Sequence, residues 1–105
     1  MIFVESPIFT EELKRFLADD DYAALQEYLS LRPEAGDLIN DSGGLRKVRW
    51  KTQGRGKRGG VRVIYYYVFA RAQIRMLMIY RKGLKDDLSP KERSVLRSIN
   101  GHWQQ

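Results

Sequence analysis

The sequence predicts an α+β fold in a single domain spanning residues 1–105, with a helical hairpin packed on one face of an antiparallel sheet. Three observations carry this. Apolar residues recur at helical spacing from residue 9 to residue 29, the pattern changes to strand-like alternation between Leu45 and Arg81, and a capped amphipathic segment begins at Ser89. A chain of 105 residues with 43% apolar content is long enough to bury one modest core.

Ile2-Phe3-Val4 reads as a short edge strand. Ser6 and Pro7 suit the N-cap and first position of a helix, because proline lacks the N–H that would go unpaired there. Phe9, Leu13, Phe16 and Leu17 then form one apolar stripe, with Glu11, Glu12, Lys14 and Arg15 outside it. Asp19-Asp20-Asp21 is expected to end this helix and to supply the N-cap of the next. That second helix buries Leu25, Tyr28 and Leu29 and stops before Pro33 and Gly36.

From Leu45 to Trp50 alternation sets Lys47, Arg49 and then Lys51 on one face, and Val48 and Trp50 on the other, with Trp50 under the helices. Residues 51–60 hold four glycines and four bases and read as a mobile loop. Val61 to Phe69 is the strongest strand, rich in β-branched and aromatic residues. A turn at Ala70–Gln73 and a strand from Ile74 to Arg81 complete a three-stranded antiparallel meander. Ser89-Pro90-Lys91-Glu92 forms a capping box, and Val95, Leu96, Ile99 and Trp103 are expected to make the inner face of the last helix. The order is strand, helix, helix, three strands, helix. The hairpin covers one face of the meander, and the basic face is expected to stay open to a ligand.

Charge is sharply segregated. Residues 1–41 hold ten acids and three bases, whereas residues 42–85 hold thirteen bases and no acid. A surface needing only solubility would mix signs, so a polyanion is the expected partner, with nucleic acid first. A membrane is not expected, because the bases do not lie on an amphipathic helix and no apolar run approaches a membrane span. Met1-Ile2-Phe3-Val4-Glu5 lacks a signal-peptide pattern, and with no cysteine there is no disulfide or thiolate metal site, so a cytoplasmic protein is expected.

The chain has one histidine, His102, which rules out a catalytic histidine pair; on a capped helix beside Trp103 it reads as a surface residue. Gly54-Arg55-Gly56 and Gly59-Gly60 lack P-loop spacing, and neither a metal nor a cofactor is expected. What remains is a sheet bearing Lys47, Arg49, Arg62, Arg81 and Lys82 and a loop bearing Arg55, Lys57 and Arg58. RNA can be cut without metal because its 2′-hydroxyl is the nucleophile. The enzyme aligns the chain and stabilises the phosphorane with fixed cations, a task for which arginine is suited. Lysine crowded by positive neighbours can also exchange a proton. Periodicity alone favours phosphate binding over catalysis. Tyr65, Tyr66 and Tyr67 alternate faces, one orientation packing in the core and the other available to stack on bases. The acidic hairpin reads as a solvated outer face.

The run Gly43-Gly44-Leu45-Arg46-Lys47-Val48-Arg49, followed by Gly54-x-Gly56-Lys57-Arg58-Gly59-Gly60-x-Arg62-Val63-Ile64-Tyr65-Tyr66, resembles the HigB branch of the RelE superfamily, toxins of type II toxin–antitoxin systems. The likeness continues through Ile79-Tyr80-x-Lys82 and Asp87-Leu88. The resemblance implies a RelE-like fold and a ribosome-dependent endoribonuclease that cleaves messenger RNA in the ribosomal A site and inhibits translation. It also implies a cognate antitoxin, through which alone operator DNA would be met. It implies that Arg62 meets the scissile phosphate, that Lys47 and Arg49 grip the backbone and assist proton transfer, and that Lys82 contacts a phosphate or the leaving group. Lys51, Arg55, Lys57, Arg58, Tyr80 and Arg81 are the expected RNA contacts. Gly83 stands where RelE itself has an arginine, and no counterpart of its C-terminal tyrosine is evident. The competing readings are a non-enzymatic RNA- or DNA-binding module and an inactive family member serving as a regulatory subunit.

Overall fold

The computed structural model describes residues 1–51, 60–81 and 88–103. Among them the chain forms β1 (Ile2–Glu5), α1 (Pro7–Phe16), α2 (Asp19–Leu31), β2 (Asp37–Leu38), β3 (Arg46–Trp50), β4 (Val61–Val68), β5 (Gln73–Arg81) and α3 (Pro90–Gly101), with a 3-10 turn at Phe69–Arg71. The strands lie in the order β1-β5-β4-β3-β2. β3, β4 and β5 make the antiparallel meander that alternation predicts. β1 adds to it in parallel, beside β5, and the two-residue β2, which has no sequence signature, borders β3.

The helix starts follow from cap chemistry. Ser6 Oγ accepts the Phe9 N–H at 3.0 Å and donates to the Leu77 carbonyl at 2.9 Å, capping α1 and tying it to β5. Ser89 Oγ accepts the Glu92 N–H at 3.1 Å while Glu92 accepts the Ser89 N–H at 2.9 Å, the reciprocal capping box of α3. For α2 the expectation needs correcting. Ala18 is its N-cap and makes no side-chain bond, and Asp19, Asp20 and Asp21 lie in the first turn. There they meet the positive end of the helix dipole, a role that asks for charge but not for cap geometry.

The hairpin face holds the first core. Phe9, Leu17, Leu25 and Leu29 pack on Val48, Val61, Val63, Tyr65, Ile74, Met76 and Ile79. Burying each large side chain contributes roughly 1.5–3 kcal/mol. Trp50 sits under the helices as expected, its ring 5.3 Å from that of Tyr28 and its Nε1 donating to the Asp21 carbonyl at 3.1 Å.

The opposite face is not left open along its length. Leu45, Ile64, Leu77 and Tyr80 form a second core beneath Leu88 and Leu96, with Trp103 packed against it, so α3 crosses this face. The inner stripe of α3 also differs from expectation, since Val95 is 48% and Ile99 37% exposed. The reason is Arg75. Its guanidinium lies 5.8 Å from the Tyr66 ring centroid and 5.5 Å from that of Trp103, and it donates to the Asn100 carbonyl at 3.3 Å and side chain at 3.1 Å. The helix therefore turns Leu96, Asn100 and Trp103 inward and leaves Val95 and Ile99 outside.

A bulge in β5 decides which of its side chains face which core. Tyr65 pairs with Met76 but Ile64 pairs with Met78, so Leu77 is an extra residue. Met76 therefore faces the hairpin, whereas Leu77, Met78 and Tyr80 face α3. Arg75 and Arg81, which unbroken alternation would put together, end on opposite faces.

Candidate functional site

Arg62, the second residue of β4, is flanked by Arg49 of β3 on one side and Tyr80 of β5 on the other. Directly opposed residues share a face, so these three form a row across the sheet. Lys47, Ile64 and Met78 form the next row. Arg62 is 8% exposed and lies in the floor, Lys47 is half-buried, and Arg49 is exposed. Lys51 follows β3 and is exposed. Three cations from two strands thus meet beside the region covered by α3, a geometry suited to holding a phosphodiester by more than one oxygen.

Two local devices produce that register. The first is the turn before β3. Ser42, 1% exposed, donates to the Ile39 carbonyl at 2.6 Å and accepts the Leu45 N–H at 3.0 Å, while Asp41, Gly43 and Gly44 adopt positive φ. The run Asn40-Asp41-Ser42-Gly43-Gly44 carries the turn signal that would locate it. The second is Gly60, at φ +65°, where a Cβ would lie 2.9 Å from the Lys51 Cα and the Trp50 carbonyl carbon. Only glycine lets the chain pass that close to β3 as it enters β4.

Two expected RNA contacts are not on this surface. Tyr80 is 6% exposed and packs in the second core, so its ring is not available to stack on a base. Arg81 lies on the hairpin face, its guanidinium carbon 5.8 Å from the Phe16 ring centroid, because the bulge at Leu77 reverses the phase of β5. The tyrosine run is likewise absorbed. Tyr65 and Tyr67 belong to the hairpin core, and Tyr66 packs against the second core under Arg75. Arg55, Lys57, Arg58 and Lys82, together with Gly83 and Asp87, lie outside the described residues. His102 is exposed at the end of α3, with Nδ1 2.8 Å from the Ser98 carbonyl oxygen.

Among the described residues, Arg75 is the one buried cation that sequence reasoning passed over. It bonds Gln73 Oε1 at 3.0 Å as well as Asn100, and burial lowers its pKa from the ordinary arginine value. Its partners are neutral groups and aromatic faces, which satisfy a guanidinium that anchors α3.

Set against solved structures, this backbone matches that of the E. coli toxin RelE in the free state, determined as a double arginine-to-alanine variant. The match covers 81% of this chain and 86% of that chain, with a TM-score of 0.56 and 12% sequence identity. The fold is RelE-like. Such an identity concerns the architecture alone. No family model matches the sequence.

Proposed function

We propose that this protein is a toxin of the RelE superfamily, of the HigB branch, that cleaves messenger RNA in the ribosomal A site and is neutralised by a cognate antitoxin in the cytoplasm. The observation that carries the reading is the opposition of Arg49 and Arg62, with Lys47 in the adjacent row, on a RelE-like fold. The run from Gly43 to Tyr66 supports the branch.

In this reading the 2′-hydroxyl loses its proton and its oxygen attacks the adjacent phosphorus. The bond to the 5′-oxygen breaks, leaving a 2′,3′-cyclic phosphate and a protonated 5′-hydroxyl. Arg62 stabilises the phosphorane from the sheet floor, and Lys47 and Arg49 hold the backbone and assist proton transfer, joined by Lys82. Lys51, Arg55, Lys57 and Arg58 steer and grip the strand electrostatically. No metal or cofactor is assigned, because the nucleophile belongs to the RNA itself. Binding without cleavage is the second reading, favoured by one observation: Tyr80, beside Arg62 in the row, has its ring buried in the second core, and the only histidine lies at the end of α3 against the Ser98 carbonyl.

A site made of fixed cations has little means of bending free RNA into line, and alignment is worth on the order of 7 kcal/mol or more in favourable cases. The ribosome already holds the message in a set path. One transcript is therefore cut efficiently in a translation complex and poorly when naked, at equal protein concentration. Equal rates would remove ribosome dependence, and binding with no cleavage in either setting would establish the second reading.

A further inference from the structure

We propose that the cleft between β2 and α3 is a second nucleotide subsite, in which Arg93 and Asn40 hold the nucleotide next to the one whose phosphate lies on Arg62. The inference rests on the RNA-cutting function proposed above and adds residues that neither the basic run nor the sheet face contains.

The cleft has a volume of about 280 Å³ and is lined by Asp37, Leu38, Ile39, Asn40, Lys47 and Arg93. That is close to the lower end of ligand pockets, about 300 Å³. Lys47 joins it to the candidate site, since Lys47 stands one row from the Arg49–Arg62 pair and also forms the cleft wall. Arg93 comes from the opposite wall, on the first turns of α3, where its Nη1 makes one long contact of 3.4 Å with the Leu88 carbonyl. A single bond of that length leaves most of a five-donor guanidinium for a ligand. Asn40 is exposed at the cleft, and its amide offers both donors and an acceptor.

The mixture of groups selects the ligand class. Two cations call for an anion, yet Asp37 places a carboxylate in the same cleft, its strand position opposite Lys47. Free phosphate and an acidic peptide side chain are anions throughout, so that carboxylate repels them. A nucleotide offers a phosphate to Arg93 and Lys47, and base amino groups or a ribose hydroxyl to Asp37 and Asn40. The cleft therefore fits a nucleotide within a polynucleotide better than it fits an acidic segment of a protein.

The test uses the full chain and a fluorescein-labelled RNA decamer of mixed sequence, with affinity read by anisotropy across a salt series. Arg93→Met is expected to weaken binding about tenfold and to lower the salt slope by about 1. Asn40→Ala is expected to change the preference among decamers differing at one position. On ribosomes, Arg93→Met shifts the sites of cleavage and raises the RNA concentration needed, with little change in the rate at saturation. Circular dichroism reports the fold, and Arg93→Gln serves as a second variant should the methionine change disturb α3. Cleavage intact with RNA affinity, slope and cleavage sites unchanged in both Arg93 variants overturns the cleft and leaves the proposed function standing. Loss of cleavage activity in the wild type, with Arg93-dependent RNA binding retained, overturns that function and leaves the cleft. Tight, Arg93-dependent capture of a glutamate-rich peptide in place of the decamer assigns the cleft to a protein partner and ends the proposal.

Discussion

Arg49 on β3 and Arg62 on β4 stand directly opposite one another, one exposed and the other in the floor of the sheet. Like charges directly opposed across two strands are destabilising. In the proposed function the pair is reconciled when an anion bridges the two.

Two consequences can be measured. Under the proposed function, Arg62→Ala is expected to abolish growth arrest and message cleavage, with circular dichroism and antitoxin binding reporting an intact fold. A folded Arg62→Ala protein that cuts at the full rate would take Arg62 off the catalytic list. Arg49→Gln weakens cleavage yet raises the urea midpoint of the RNA-free protein slightly, since it relieves the opposition. A lower midpoint would show that Arg49 is held by stabilising contacts instead.

Under the proposed function, binding to ribosomes or RNA is expected to fall steeply with salt, through Lys47, Arg49, Arg55, Lys57 and Arg58, because each phosphate neutralised releases counterions. Replacing Lys57 and Arg58 together lowers the slope by roughly 1 to 2. Affinity measured from low to physiological salt decides this, and an unchanged slope in the double variant would show that Lys57 and Arg58 do not meet the nucleic acid.

Gly60→Ala disrupts the site without touching a charged group. The new Cβ meets the backbone of Trp50 and Lys51, which cannot swing aside, and φ +65° is strained for alanine. The β3–β4 register must shift, and a one-residue slip would carry Arg62 to the other face. Cleavage and thermal stability are expected to fall together. A variant with wild-type melting behaviour and activity would show that the register has another anchor.

Tyr65→Phe tests the floor beneath the site. The Tyr65 hydroxyl accepts the Gly36 N–H at 2.9 Å and donates to the Pro33 carbonyl at 2.8 Å, and the side chain is fully buried. Removing the oxygen leaves Gly36 N–H, which is buried, without that acceptor, at a cost of about 1–3 kcal/mol. Denaturant titration gives the figure, and a loss below a few tenths would mean that the 33–36 segment rearranges to pair its own groups.

Much of this chain was settled by local rules that act over a few residues. Ser6-Pro7 and the Ser89–Glu92 box set helix starts because cap hydrogen bonds span three positions, and alternation placed Val48 and Trp50 in the core and Lys47 and Arg49 outside it. The acid-free stretch from 42 to 85 marked the charged surface, since net charge adds along the chain whatever the fold. The order strand, helix, helix, three strands, helix was legible for the same reason, apart from the two-residue β2. Three decisions belonged to the tertiary structure. The extra residue at Leu77 has no sequence mark, yet it sent Tyr80 into the second core and Arg81 to the far face. Arg75, which carries no local sign of its role, became the anchor of α3 and turned Val95 and Ile99 outward. The meeting of Lys47 and Asn40 with Arg93 in one cleft joins the β2–β3 pair to α3. Each depends on contacts between elements distant in sequence, and no local pattern encodes which element will lie opposite.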